Sequence, residues 1–140
     1  METHYLIDYE NAGKNGLKGC ENLSNTDYIH LFYTDNFKNT TLDIFTNHGK
    51  AELDIKKVPV GDQSLDKHLI AYLGFLVGKN ANKKNKYVII SLDKGYDKVG
   101  EFLRKEGGDS ISVSRRSTIA VPKDAQKKNV ETKVSVSKVD

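Results

Sequence analysis

The sequence predicts an open, mainly parallel α/β sheet with helices on both faces, and three observations lead there. Short apolar runs, Tyr5-Leu6-Ile7 and Tyr87-Val88-Ile89-Ile90, read as strands covered on both sides, the usual state of parallel strands. The strongest helix runs from about Ser64 to Lys79, where Leu65, Leu69, Leu73 and Leu76, with Ile70, Tyr72 and Val77, form a broad apolar stripe. Strand-like and helix-like stretches alternate as β-α-β-α-β-α-β-α-β as far as Val113, which is how a parallel sheet with helical crossovers is written.

The elements follow in order. The first strand ends at Asp8, and Asn15 to Leu23 reads as a short helix weakened by glycines. Tyr28 to Tyr33 is β-branched and aromatic, a second strand closed by Thr34-Asp35-Asn36. Thr40 or Thr41 is placed to cap a helix carrying Leu42, Phe45 and His48, stopped by Gly49. Glu52 to Val60 reads as a third strand, and Pro59 near its end suits a sheet edge. Asp62 or Ser64 caps the strong helix, and the polar loop from Asn80 to Asn85 leads into the fourth strand. Tyr96, Val99, Phe102 and Leu103 mark the last helix, stopped by Gly107-Gly108, and Ser110 to Val113 adds a final short strand. Beyond Val113 only single valines are scattered, so the reading is a domain over 1–113 and a basic, flexible tail over 114–140.

Composition narrows the class. A chain of 140 residues suffices for one domain with a real core and is short for two. Cys20 stands alone, which excludes a disulfide framework and a cysteine-built zinc site and fits a reducing, cytoplasmic setting. No signal peptide is visible and no apolar run approaches a membrane span, so no membrane partner is expected. The net charge of +3 is uneven: residues 114–140 hold seven Lys/Arg against three acids, a net +4, and the rest nets −1. A near-neutral body with a basic tail differs from a uniformly basic nucleic-acid binder, although the tail can attract a polyanion.

The chemistry lies with the acids. Asp8 closes the first strand, where a carboxylate cannot serve the core, and open α/β sheets bind ligands beyond the carboxyl ends of their strands. Asp93 closes the fourth strand, and Asp97 follows on the first turn of the last helix. Asp66 sits on the first turn of the strong helix, with Ile70, Leu73 and Val77 following on its side, so it points along the edge of the buried face. Helix-dipole and turn chemistry account for an acid at each place, but they do not account for Asp66's face. Two such charges 4 Å apart repel by roughly 4 kcal/mol at the effective dielectric of a protein surface. A cation between them relieves that cost, and Mg²⁺, which takes few carboxylates and keeps waters, suits an open acidic cleft. The four histidines show no metal-ligand spacing, and His30 within an apolar strand reads as a core or edge residue. Ser64 and Ser91 lack a readable His/Asp partnership, and the Asn11 to Gly16 stretch lacks both G-x-G-x-x-G and the Walker pattern. A haloacid-dehalogenase-like phosphatase wants D-x-D or D-x-x-x-[TV] after its first strand, and Asp8-Tyr9-Glu10-Asn11-Ala12 departs from both.

Taken in order, Tyr5-Leu6-Ile7-Asp8-Tyr9-Glu10-Asn11, Gly61-Asp62-Gln63-Ser64-Leu65-Asp66 and Tyr87 through Asp97 resemble the motifs of PIN-like nuclease domains, closest to the NYN branch, over roughly residues 3–113. The resemblance implies a Rossmann-like (PIN-type) fold and divalent-metal-dependent cleavage of RNA, with Mg²⁺ or Mn²⁺ as cofactor and single-stranded RNA as partner. It assigns Asp8, Asp66 and Asp93 as catalytic, metal-binding acids and Asn11 as a polar, substrate-binding neighbour. Where the NYN motif carries a second acid two residues past the strand-end Asp, this sequence has Gly95, and Asp97 is the candidate fourth metal ligand. A PIN-like module that holds RNA or protein without cutting it is the alternative, and a homodimer is compatible with either.

Overall fold

The computed structural model describes residues 1–35 and 43–121. Five strands form one sheet in the order β3-β2-β1-β4-β5: β1 (Thr3–Asp8), β2 (Asp27–Tyr33), β3 (Glu52–Lys57), β4 (Lys86–Ile90) and β5 (Ser112–Arg116). Every neighbouring pair is parallel. The chain builds outward from β1 to β2 and β3, then returns to place β4 and β5 on the other side. That reversal lies between β1 and β4, so their carboxyl ends flank a crevice.

Side chains alternate across β1. Tyr5 and Ile7 face one core, built with Ile29, Leu31, Val88 and Ile90 under the short helices α1 (Tyr9–Ala12) and α2 (Asp43–Thr46). Leu6 faces the other, built with Phe32, Tyr87 and Ile89 under α3 (Ser64–Lys79) and α4 (Tyr96–Gly107). Asp8 shares the α3/α4 side with Leu6. Leu65, Leu69, Leu73 and Leu76 are the buried stripe of α3, while Ile70 and Phe75 are exposed. The stripe is therefore narrower than the sequence pattern promised, because a helix over a five-stranded sheet has only one buried side. No helix among the described residues is long and apolar enough to cross a membrane.

Several local expectations differ from the structure. The helix expected over Asn15 to Leu23 is instead two 3-10 turns, Gly13–Leu17 and Cys20–Asn22, separated by Gly19 at a φ of 95°. A side chain on Gly19 would strike Ala120, since a Cβ there would lie 2.7 Å from the alanine methyl. β3 stops at Lys57, three residues short of Val60. Neither Asp62 nor Ser64 caps α3: the N-cap position is Gln63, whose φ of 54° makes it the non-glycine residue with positive φ among those described. Thr40, Thr41 and Leu42 lie outside the described residues.

The boundary expected at Val113 falls inside β5, which pairs with β4 through Arg116 opposite Ile90. The following segment then crosses the Gly16–Gly19 turn. The Ile119 amide donates to the Gly16 carbonyl at 3.0 Å, the Ala120 amide donates to the Lys18 carbonyl at 2.7 Å, and Ile119 is buried in the core. Arg115 and Arg116, counted from sequence with the tail, belong to this folded unit.

Candidate active site

The crevice is made by chain ends. β1 runs out at Asp8, which also caps α1 by accepting the Asn11 amide on Oδ1 at 3.3 Å. The other carboxylate oxygen, Oδ2, accepts two hydroxyls, Ser91 Oγ at 3.1 Å and Tyr96 Oη at 3.1 Å. Ser91 follows β4 directly, and Tyr96 opens α4. Asp8 is only 5% exposed. Burial lifts its carboxyl above the ordinary range against the pull of the Ser91, Tyr96 and Asn11 donors, and the negative charge of Asp66 adds to the rise. Burial also raises the Tyr96 phenol far above its usual value, with the Asp8 charge next in effect, so Tyr96 stays a proton donor.

An open cleft of about 260 Å³ lies over Asp8, lined by Asp8, Glu10, Asn11, Leu65, Asp66 and Asp93. The three acids singled out from sequence thus line one cleft from three directions: the end of β1, the first turn of α3 and the loop after β4. Asn11 lines it too. Asp66 is partly buried and Asp93 is exposed. The Asp93 carboxylate is held by its own loop, accepting the Gly95 amide on Oδ1 at 2.8 Å, while the Asp93 amide donates to Ser91 Oγ at 3.0 Å. Turn chemistry and a place in the cleft coexist at this residue.

Asp97 goes elsewhere. It lines a separate depression with Arg104 and Arg115 and is absent from the lining of the acidic cleft. Arg115 Nε donates to its Oδ1 at 2.8 Å, and this guanidinium holds the Asp97 carboxyl below the usual range. The same guanidinium donates through Nη1 to the Ser91 carbonyl at 3.0 Å. The expected fourth ligand is instead half of a brace that ties the loop carrying Asp93 to β5. An acid one helical turn past the strand end was drawn to a β5 arginine that sequence reading had placed in the tail.

Three contributors to the cleft were not singled out from the sequence. Glu10 lines it and accepts a hydrogen bond from Thr34 Oγ1; its signal was the D-x-E-N run itself. In the sequence Ser91 reads as a hydroxyl without a His/Asp partnership, and Tyr96 as part of an apolar helix face. Their shared bond to Asp8 spans 83 and 88 residues and leaves no local pattern.

The acids that line the cleft offer only oxygen donors, and among the described residues no Lys or Arg lines it. Such a set suits a hard cation that keeps most of its water. Among the described residues, no group of three or more His, Cys, Asp or Glu is drawn close enough to hold a metal ion. A cation there would be held by the carboxylates of Asp8, Asp66 and Asp93, with water completing its shell.

A family model described as a PIN domain matches residues 2–113. Among solved structures, the chain is similar to Enterococcus italicus Csm6 bound to cyclic hexa-2'-fluoro-hexa-dAMP, with a TM-score of 0.50 and 12% identity. That likeness covers 99% of this chain and 39% of the Csm6 chain, and at such identity it speaks to the fold alone. Curated proteins yield no match.

Proposed function

The chain belongs to the PIN-domain family, and from that premise we propose that it is a divalent-metal-dependent endoribonuclease, of the NYN kind, working at the Asp8–Asp66–Asp93 cleft. One observation carries the reading. Four carboxylates, Glu10 included, line one cleft at the sheet's topological reversal, and among the described residues no basic side chain lines it with them. Such a cleft repels a phosphodiester unless a cation stands between, and Mg²⁺ or Mn²⁺ there supplies activation of water and charge stabilisation of the leaving oxygen.

The chain's own residues do the placing. Ser91 and Tyr96 occupy Oδ2 of Asp8, while Oδ1 receives, among the described residues, only the longer Asn11 contact. Oδ1 is thus the oxygen with capacity left for a ligand. Both hydroxyls favour the ionised carboxylate that a cation needs, against the burial that opposes it. Asp66 and Asp93 add oxygens from separate elements, so α3 and the β4–α4 loop as well as β1 would hold the ion. Asn11, exposed at the rim, offers an amide that both donates and accepts, suited to a ribose hydroxyl or phosphate oxygen. We take single-stranded RNA as the substrate because the cleft is an open trough.

The test is a cleavage assay on mixed single-stranded and structured RNAs with Mg²⁺, with Mn²⁺ and with EDTA. Metal-dependent cutting of single strands is expected. Binding without cutting in either metal would make the domain a binding module, and cutting in EDTA would remove the metal from the mechanism.

A further inference from the structure

Away from the cleft, four titratable side chains lie in one line across three strands. Glu2 Oε1 meets His4 Nε2 at 3.0 Å, His4 Nδ1 meets His30 Nε2 at 2.9 Å, and His30 Nδ1 meets Asp54 Oδ2 at 3.2 Å. His4 is 4% exposed and His30 6%. The sheet's register produces the line: His30 and Asp54 are direct partners between β2 and β3, and His4 reaches His30 diagonally between β1 and β2.

Counting protons makes this more than a packing detail. Each contact to a carboxylate requires a ring N–H, and the ring-to-ring contact requires one N–H facing one bare nitrogen. Three contacts need three N–H groups, yet two neutral imidazoles carry two. We infer that His4 and His30 together bind one proton beyond the neutral pair, forming a single imidazolium–imidazole unit clasped between the carboxylates of Glu2 and Asp54. In the arrangement that satisfies every contact, His4 donates to Glu2 and to His30, and His30 donates to Asp54.

The surroundings agree. The Glu2 carboxyl is lowered, first by its bond to His4, and the Asp54 carboxyl is lowered by Lys56 and His30 against burial, so both ends are ionised. His30 is pushed down to about 4, chiefly by burial. A second extra proton would set two ring N–H groups against each other across 2.9 Å. The pair therefore accepts one proton and refuses the next. The groups facing it from each packed element are consistent with that state. Tyr28 of β2 stacks on His4 and donates to Glu2 Oε2; Tyr87 of β4 stacks on His4; Tyr72 of α3 sets its edge to His30. Asn85 donates to Glu2 Oε1, Lys83 lies near Glu2, and Lys56 caps Asp54 at 3.0 Å and lies over the Tyr72 ring.

The consequence is a pH-dependent clasp on the β3 edge. When the extra proton leaves, one contact must become lone pair against lone pair. The Asp54 end yields, because Asp54 is the more exposed terminus and already has Lys56 as an alternative partner. β3 then loses its side-chain hydrogen bond to His30 of β2 and keeps the backbone ladder, the packing of Leu53 and Ile55 and the Lys57–Asp35 ion pair.

The experiment uses the full chain with ¹⁵N-labelled histidine, reading the ring nitrogens by long-range ¹H–¹⁵N correlation from about pH 4 to about pH 9, around the ordinary imidazole value near 6.5. On the acid side, three of the pair's four nitrogens should be protonated, and both rings should report loss of one proton in a single shared step. Asp54→Asn presents an amide N–H to the bare His30 Nδ1, so the pair then needs only two protons, and the step should move down by about one pH unit or more. Glu2→Gln should do the same from the other end, which keeps the test standing if one variant fails to fold. Two protonated nitrogens at every pH, or a step that neither folded variant moves, would overturn the inference.

Discussion

Replacing Tyr96 by Phe removes one hydroxyl from beneath the cleft and leaves the ring in its core beside Leu65 and Leu69. That hydroxyl donates to Asp8 Oδ2 at 3.1 Å, and both residues are buried. A hydrogen bond to a charged acceptor contributes about 1.5–3 kcal/mol. The variant relieves the cost of burying the phenol hydroxyl, and Ser91 remains on the same oxygen, so the expected loss is near the low end, about 1.5 kcal/mol. The bond favours the ionised form of Asp8, so the Asp8 carboxyl should rise further in the variant. The destabilisation should be full where Asp8 is ionised and should fade as pH falls through its folded value. Urea denaturation in EDTA measures the first effect, and carboxyl carbon shifts across pH measure the second. Because Ser91 shares the oxygen, Ser91→Ala combined with Tyr96→Phe should cost more than the two single losses added. Stability within about 0.5 kcal/mol of the parent and an unmoved Asp8 titration would refute the idea that these hydroxyls hold the carboxylate.

Two further outcomes follow from the same geometry. His30 stays neutral in the fold down to about 4, whereas an unfolded histidine takes its proton near 6.5, so the unfolded state binds the proton first. Its contribution is present above about pH 6.5 and is lost as pH falls toward 4, by up to about 3 kcal/mol, and flat stability across that interval in denaturant titrations would contradict it. Truncation after Val121 should leave a folded domain with metal-dependent turnover but weaker RNA binding and a shallower salt dependence, because it removes five lysines against Asp124, Glu131 and Asp140. Truncation after Val113 should instead unfold the domain, since it removes the rest of β5 and buried Ile119; circular dichroism separates the two.

The sheet and its strongest helix were legible because each announces itself locally. The leucines of α3 recur at helical spacing, and its bounds came out as read; β1 and β4 are apolar runs that only a doubly covered sheet can hide. Asp8 was legible for a related reason, being a charge at the end of such a run. What escaped depends on partners far apart in sequence. Nothing near His4 announces His30, and nothing near Tyr96 announces Asp8, because register and topology bring them together. The pairing of Asp97 with Arg115 escaped because nothing local marks Arg115 as part of a strand, and the end of β5 escaped because single valines carry no period. The 3-10 turns replaced the expected helix where Gly19 had to let the 119–120 segment pass, a tertiary demand that no local propensity records.

The central claim is that one ion-binding cleft, shared by β1, α3 and the β4–α4 loop, performs RNA cleavage. Single-turnover cleavage of single-stranded RNA by Asp66→Asn, across a Mg²⁺ titration, tests it most directly, because Asp66 lies on a different element from Asp8 and its side chain makes no hydrogen bond or ion pair among the described residues. The account predicts a folded protein, a raised Mg²⁺ requirement and a rate lowered about 100-fold or more, a barrier change of roughly 3 kcal/mol. Asp97→Asn, outside the cleft, should retain a parental Mg²⁺ requirement. Parental cleavage and an unchanged Mg²⁺ dependence in folded Asp66→Asn would contradict it.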